Sequence, residues 1–495
     1  MSKRLALTAL DPRALPLLRA VVAAGAGRDA VLVGGAVRDA CLTPPRRGTR
    51  DSPPATQPST RPAVDVDVTV PRGAIDVARR VADRLSAAYL VLDEERGAAR
   101  VIAGAGRLDV TDWRAPTLEE DLAARDFTVN ALAVPLRTLL RDGGAPVIDP
   151  TGGLADLAAA RLRPAGPTAL ADDPLRALRG VRLEATLGFR LTAAATRAVR
   201  VAAPGLTRVS AERQRDELLL LLGLPRAGRA LRRLDALGLL GALVPDIEAM
   251  RRTAQPRPHR FDVLEHSLRA VDGADRLVTG LTKLGAIADD LRAHLAEEVG
   301  GGVDRAQLLR LATLLHDVSK PETRRLVDGR VRFFEHDLRG AARARAIGER
   351  LRLPGRAVAS VERLVRHHLR PMHLAQSGEI TSRARYRFFR DLADDSRDLL
   401  LLVTADAAAV TGISPFVAWK RGWVVRELMA GWQEQQDARA APPLLRGEDV
   451  MTRFALPPGP AVGALLTRAR EAQALGLVAT REEALRYLDS SEDGP

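Results

Sequence analysis

The sequence predicts an α+β protein in which a small mixed-sheet head precedes an all-helical body. Short β-rich runs alternate with helical stretches only between about 31 and 150; beyond about 155 the apolar residues recur with a helical period and no convincing strand appears. Aromatics make up only 3% of the 495 residues, so the core is mostly Leu, Ala and Val, a composition that favours helices. At one domain per roughly 100–200 residues, the chain holds several. The expected divisions are a head over 1–154, a helical neck over 155–254, a histidine-bearing domain over 255–418 and a helical tail over 419–495.

Near the N-terminus, Asp11 and Arg13 interrupt the apolar run before a signal-peptide core develops. Strands are expected at VLV (31–33), VDVDVTV (64–70), YLVLD (89–93), ARVIAG (99–104) and RLDVTDW (107–113). Between the first two, 43–63 is rich in Pro, Ser and Thr without a hydrophobic period and should form an exposed, disordered insertion. Helical periodicity runs through 155–250 and about 259–415, and the last region has its own Pro-Gly turn at 457–460. The single cysteine, Cys41, excludes an intrachain disulfide and a Cys-rich zinc site. No apolar run reaches the roughly 18–20 residues of a spanning helix, so a cytoplasmic protein with no membrane partner is expected, and no obligate protein partner is evident.

The net charge is +13, and arginine supplies 71 of the 75 basic groups. Residues 173–233 hold 13 arginines against 5 acids, a net of +8 in one helical region. Guanidinium forks suit phosphate, so this segment is either a nucleic-acid-facing surface or a solvated helix face whose arginine stems shield apolar neighbours.

Local chemistry begins at Val31. VLVGGAVRDACL reads as a strand, a Gly-Gly turn and a helix, which places backbone N–H groups at Gly34 and Gly35 where a phosphate can sit, with Arg38 and Asp39 one turn in. In VDVDVTV, Asp65 and Asp67 are two apart on a strand and share a face, with the valines packed behind. Such a pair holds Mg²⁺, or is two solvated carboxylates on a half-buried strand. Asp109, in RLDVTDW, is placed to complete a two-metal cage.

Four ordered motifs, Gly34-Gly35 with Arg38-Asp39, Asp65-x-Asp67, RDFTVNALA (125–133) and DDPLRALRGVR (172–182), together resemble the class II tRNA nucleotidyltransferase and poly(A) polymerase family of the polymerase β superfamily. The resemblance extends through IDPTGGLADL (148–157), SAERQRDELLLLL (210–222) and the tail segment 444–476. It implies a polymerase-β-like nucleotidyltransferase head that adds C and A to the tRNA 3′ end from CTP and ATP, without a template and with release of pyrophosphate. It implies that Gly34, Gly35 and Arg38 contact the triphosphate, that Asp65 and Asp67 bind catalytic Mg²⁺, and that Asp109 assists the attacking 3′-hydroxyl. Arg125, Asp126 and Asn130 would orient the nucleotide, and Asp173 and Arg176, with Arg179 a turn later, would act as an amino-acid template. A carboxylate that accepts from an exocyclic amine, beside a guanidinium that donates to a ring nitrogen or carbonyl, selects C and A over U and G. The tRNA acceptor arm would be held through backbone and shape.

The chain departs from the family pattern in four places. Ala124 stands where a first Arg usually precedes Arg125, Asp172 replaces the usual Glu, and the 43–63 insertion lengthens the path to Asp65. WRAPTLEEDL (113–122) is shorter than the segment expected to carry the family's flexible loop, which is associated with switching from C to A addition. CC-only, A-only and poly(A) addition therefore stand beside full CCA addition.

A second constellation lies downstream: His266 in VLEHSLRAV, His316-Asp317 in LATLLHDVSKP, His336 in FFEHDLRGA, His367-His368 in LVRHHLRP and Asp406 in VTADAAAV. The ordered series resembles an HD-type metal phosphohydrolase domain. That implies a divalent metal (Mg²⁺, Mn²⁺, Ni²⁺ or Co²⁺) and hydrolysis of RNA 3′ or cyclic phosphates, or else a hydrolase whose head only binds nucleotide. Neighbouring helical residues diverge by about 100°, so one of the two adjacent histidines points inward, and His367 is the expected ligand.

Overall fold

The computed structural model describes residues 3–42 and 64–490, apart from 28, 105, 435 and 437–440. The insertion expected to be disordered, 43–63, lies outside the described residues. The chain forms two compact units, Met1–Pro245 and Asp246–Pro495, and the division falls inside the stretch expected as the neck.

In the first unit, strands β1 (Val31–Val33), β2 (Val64–Val70), β3 (Ala88–Asp93), β4 (Ala98–Ala103), β5 (Gly106–Asp112) and β6 (Ala133–Pro135) make one sheet in the order β3-β4-β5-β2-β1-β6. Only β2 and β5 run parallel; the other neighbours are antiparallel, which makes the sheet mixed. The five expected strands lie within a residue of their expected ends. Val66, Val68 and Val70 of β2 are buried, and the two-residue period turns Asp65 and Asp67 to the opposite face. Helix α1 (Gly35–Cys41) follows β1. The neck supplies α2 (Leu175–Leu187), which ends at left-handed Gly188, and α3 (Ala211–Leu222).

The second unit centres on α4 (Val263–Thr279), α5 (Arg305–Leu315), α6 (His336–Arg350), α7 (Gly355–His367) and α8 (Ser396–Thr411). Asp262 caps α4 by accepting from the Glu265 N–H at 2.8 Å, and Leu399 to Leu402 of α8 are fully buried. Three tail helices, Gly447–Phe454, Pro460–Ala474 and Arg481–Asp489, enclose their own core of Val450, Val462, Leu465, Ala472, Ala484 and Leu488. Among the described residues, no single helix is long and apolar enough to cross a membrane.

The expectation that no strand follows residue 155 is corrected. Arg324–Val327 and Arg330–Phe333 form an antiparallel hairpin, and two shorter pairs join Arg161–Leu162 to Arg190–Leu191 and Glu298–Gly300 to Val303–Asp304. The hairpin strands are short and arginine-rich, so hydrophobic alternation is absent. Their signal was Asp328-Gly329, a pair with φ of 49° and 71° that suits a two-residue hairpin turn.

Candidate active sites

At Gly34 the backbone has φ 74° and ψ −141°, a region essentially restricted to glycine, and a Cβ there would sit 2.8 Å from Asp67 Oδ2. The turn thus approaches the carboxylate as closely as a missing side chain permits. The parallel register sets Asp67 opposite Asp109 and Asp65 opposite Arg107, which puts the three carboxylates on one face. Arg100 grips Asp109 through two bonds of 2.7 and 2.8 Å, and Arg107 Nε lies 2.7 Å from Asp65 Oδ1. Burial pushes the Asp67 carboxyl up to about 6; Asp109 and Asp65 add to the rise, while Arg125 and Arg179 oppose it. A divalent cation among these three acids would relieve that repulsion, so the residues present fit Mg²⁺.

A hydrogen-bonded chain runs from the turn to the neck. Arg38 Nη1 donates to Asn130 Oδ1 (2.8 Å), Asn130 Nδ2 to Asp126 Oδ1 (3.2 Å), and Arg179 Nη1 to Asp126 Oδ2 (3.1 Å). Arg179 and Arg182 then share Glu217. Burial disfavours the Asp126 carboxylate, but Arg179, the Phe127 N–H and Asn130 together hold it below the usual carboxylate range. Asp39 stands apart: it pairs with Arg38 Nε at 2.7 Å and is largely exposed. Gly35 follows in the same turn, and Arg125 binds the buried Asp121 at 3.1 Å.

Asp173 and Arg176, three residues apart, do not form a tight ion pair. Their charged atoms are 3.9 Å apart; Asp173 instead accepts from Arg213 Nη2 at 2.7 Å, and Arg176 Nη1 donates to the carbonyls of Arg125 and Ala169. A cavity of about 460 Å³, lined by Asp172, Asp173, Arg208, Ser210 and Arg213, opens beside this pair. Sequence reasoning missed Arg100, Arg107, Arg213 and Glu217. The first two needed the strand register, whereas Arg213 and Glu217 lie one helical turn apart in a segment that had been singled out.

In the second unit, six side chains converge. His266 of α4, His316 at the end of α5 and Asp406 of α8 form one group; Asp317, His336 at the start of α6 and His368 just past α7 form another. Asp317 lies between them, its Oδ2 3.2 Å from His316 Nε2 and its Oδ1 3.5 Å from His336 Nε2. His266 Nε2 lies 2.9 Å from Asp406 Oδ1. The expectation for His367 is corrected: His368 joins the cluster and is 3% exposed, whereas His367 lies to the side near Arg370 and Asp391. The reason is the buried stripe Ala357, Val358, Val361, Leu364, Val365, which His368 continues at i+3 and i+4.

The tautomers follow from the backbone. The Nδ1 atoms of His316, His336 and His368 each face a carbonyl, of Thr313, Phe333 and Val365, at 2.7–2.8 Å. A carbonyl only accepts, so each Nδ1 carries a proton and each Nε2 faces the centre, where in the neutral ring it offers a lone pair. His336 Nε2 and His368 Nε2 are 3.2 Å apart, a distance at which two lone pairs repel unless a cation lies against both. The donor set fits a divalent transition metal.

Burial opposes a charge on His316, yet Asp317 and Asp406 lift it to about 8, while burial and then His316 push His368 down to about 3. His316 and Lys320 outweigh burial and hold Asp317 well below the carboxylate range; Lys320 Nζ donates to Asp317 Oδ2 at 2.7 Å. Lys320 and His259, whose ring packs edge-on to His266 at 4.9 Å, escaped the sequence reading.

Three known families match: the poly A polymerase head domain over 30–163, the probable RNA- and SrmB-binding site of polymerase A over 188–251, and the HD domain over 263–408. The A-adding tRNA nucleotidyltransferase of Deinococcus radiodurans is 37% identical over 93% of this chain and 94% of its own length. The CC-adding tRNA nucleotidyltransferase of Geobacter sulfurreducens is 33% identical over 96% and 94%. Among solved structures, a CCA-adding enzyme in complex with ATP aligns with a TM-score of 0.61 at 18% identity over 100% of both chains. The Thermotoga maritima CCA-adding enzyme complexed with tRNA gives 0.57 at 18% identity, again over 100% of both, and these two share the fold. With relatives of such identity spanning nearly its whole length, the chain belongs to the tRNA nucleotidyltransferase family, as an enzyme with a poly A polymerase head and an HD domain.

Proposed function

We propose that this chain supplies the CC step of tRNA 3′-CCA synthesis, transferring CMP from CTP in the presence of Mg²⁺. The observation that carries the reading is the segment after β5. Trp113 N donates to Val70 O at 2.8 Å, Arg114 N donates to buried Asp121 at 3.0 Å, and Thr117 and Glu120 close a capping box at the start of the helix Leu118–Ala123. Where the family's flexible loop would move to change nucleotide preference, this chain has a short, pinned helix, and one template geometry favours one base. The whole-length relatives include separate A-adding and CC-adding enzymes, which supports a divided activity.

Asp65 and Asp67 would hold the Mg²⁺, which when bound neutralises triphosphate charge and makes the 3′-hydroxyl a better nucleophile. Arg38 and the Gly34-Gly35 turn face the triphosphate, and the chain Arg38–Asn130–Asp126–Arg179 keeps turn and neck in one register. Asp173 and Arg176 offer an acceptor and a donor to the base edge. The RNA 3′-oxygen bonds to the α-phosphorus as the bond to pyrophosphate breaks, and Asp109 lies with the two metal-binding acids to assist. The test uses tRNA transcripts ending at the discriminator base, at C and at CC, with labelled CTP, ATP or both. Two C additions and a stop are expected, and AMP addition to the CC-ended transcript refutes the CC assignment.

For the second unit we propose a metal-dependent phosphohydrolase acting on RNA 3′ or cyclic phosphates, with His266, His316, Asp317, His336, His368 and Asp406 as ligands. The facing Nε2 atoms of His336 and His368 carry that reading.

A further inference from the structure

We infer that the hairpin Arg324–Phe333 is a polyanion-binding arm of the HD centre, so that this centre acts on a phosphorylated polynucleotide end rather than on a mononucleotide. The inference rests on the hydrolase reading and adds the surface that holds the strand leading to the reacting end. The hairpin is built into the cluster at both ends. Before it, Lys320 bonds Asp317 and its Nζ lies 5.6 Å from the Phe333 ring; after it, His336 Nδ1 donates to the Phe333 carbonyl at 2.7 Å.

Its register pairs Arg325 with Arg332 and Val327 with Arg330, so three guanidiniums share one exposed face while Val331 and Phe333 are half-buried on the other. Like charges directly opposite on a hairpin are destabilising. None of the four arginines in the hairpin has an acid partner among the described residues, and Arg325 reaches only the carbonyls of Glu322 and Arg324. The one acid within 324–334 is Asp328, in the turn. Phe334, which follows the hairpin, is 59% exposed, and Leu326, opposite Val331 on the other face, is 70% exposed. Phosphates spaced along a single strand complement this face in charge, and an exposed aromatic ring two residues before His336 offers a surface on which a base stacks. A mononucleotide substrate would leave the outer arginines without a function.

The test compares two substrates with the same reacting group, 2′,3′-cyclic UMP and a ten-residue oligouridylate ending in a 2′,3′-cyclic phosphate. Hydrolysis adds water across one P–O bond of the ring, with the water oxygen on phosphorus and a proton on the released ribose oxygen. In R325A/R330A/R332A, KM for the oligomer should rise about ten-fold and the log–log salt dependence of its kcat/KM should flatten by about two, at about 0.7 per lost phosphate contact. Turnover of cyclic UMP should be unchanged, which also reports a folded centre. Independently of turnover, an oligomer carrying 4-thiouridine next to its end should photo-cross-link within 324–334 of the full chain. Turnover of both substrates with an equal loss or no loss in the variant, or cross-links only elsewhere, overturns this inference and leaves the hydrolase. Turnover of neither substrate by the wild-type protein with added Mn²⁺, Ni²⁺, Co²⁺ or Mg²⁺ overturns the hydrolase reading and this inference with it.

Discussion

Replacing Gly34 with Ala separates the two demands made on that residue. Its φ of 74° and ψ of −141° lie where a side chain costs about 1–3 kcal/mol, and the new methyl would begin 2.8 Å from Asp67 Oδ2. Ordinary contact begins near 3.4 Å, so the carboxylate must retreat by about half an ångström. The retreat is cheap for folding because a carboxylate swings easily, but it moves one oxygen of the proposed metal pair. A displacement of about 1 Å at a reacting centre lowers rate by about 10²-fold, so a loss of about 10- to 100-fold in kcat is expected. Gly73 is the matched control. It also has positive φ, 84°, and a Cβ there meets nothing within 4 Å, so Gly73→Ala should lose about 1 kcal/mol of stability and keep its rate. Single-turnover CMP addition and chemical denaturation, run on both variants, decide the matter. Equal rate losses in the two, or an unchanged rate in Gly34→Ala, would refute the argument from Asp67.

His368→Ala should weaken divalent-metal binding by more than the about 10- to 100-fold that loss of a hydrogen-bond partner behind a ligand costs, while His367→Ala leaves it intact; metal content after dialysis and titration calorimetry read this directly. Asp126→Asn should lower the stability of the first unit by about 1.5 kcal/mol at pH 7, the worth of a charge-assisted hydrogen bond in a partly exposed network. Because Asp126 is held below its ordinary 3.8, its contribution is present above about pH 4 and is lost as pH falls through the folded value. The difference between wild type and Asp126→Asn should therefore shrink toward pH 3 in denaturation curves, and a difference that stays constant with pH would count against the ion pair with Arg179.

Both sites were legible in the sequence wherever periodicity alone fixes a direction. Asp65 and Asp67 had to share a face because a strand repeats every two residues, and their valines had to be core. Relations that depend on register were out of reach: Arg100 and Arg107 reach Asp109 and Asp65 only because β5 pairs with β4 on one side and with β2 on the other. The choice between His367 and His368 was available, since the apolar stripe of α7 continues to His368; weighing the two residues as neighbours, rather than as members of a stripe, led to the wrong one. The hairpin at 324–333 was hidden by its arginines, which remove the alternation that marks a half-buried strand. Asp328-Gly329 alone carried its signal.

The neck shows why a count of charges underdetermines function. Its acids are engaged by arginines: Glu184 by Arg233, Glu217 by Arg179 and Arg182, Asp173 by Arg213, and Asp216 by Arg215. Pairing leaves the net of +8 unchanged but divides the arginines by task. Arg179, Arg182 and Arg213, on α2 and α3, hold Glu217 and Asp173 in place, and there a guanidinium acts through geometry. Arg190, Arg197 and Arg229 are exposed, and there a guanidinium acts through charge. A solvated helix face and a phosphate-facing surface were alternatives for the segment as a whole. Residue by residue, the same segment holds arginines locked to buried or half-buried acids and arginines that face solvent, so both readings describe parts of it.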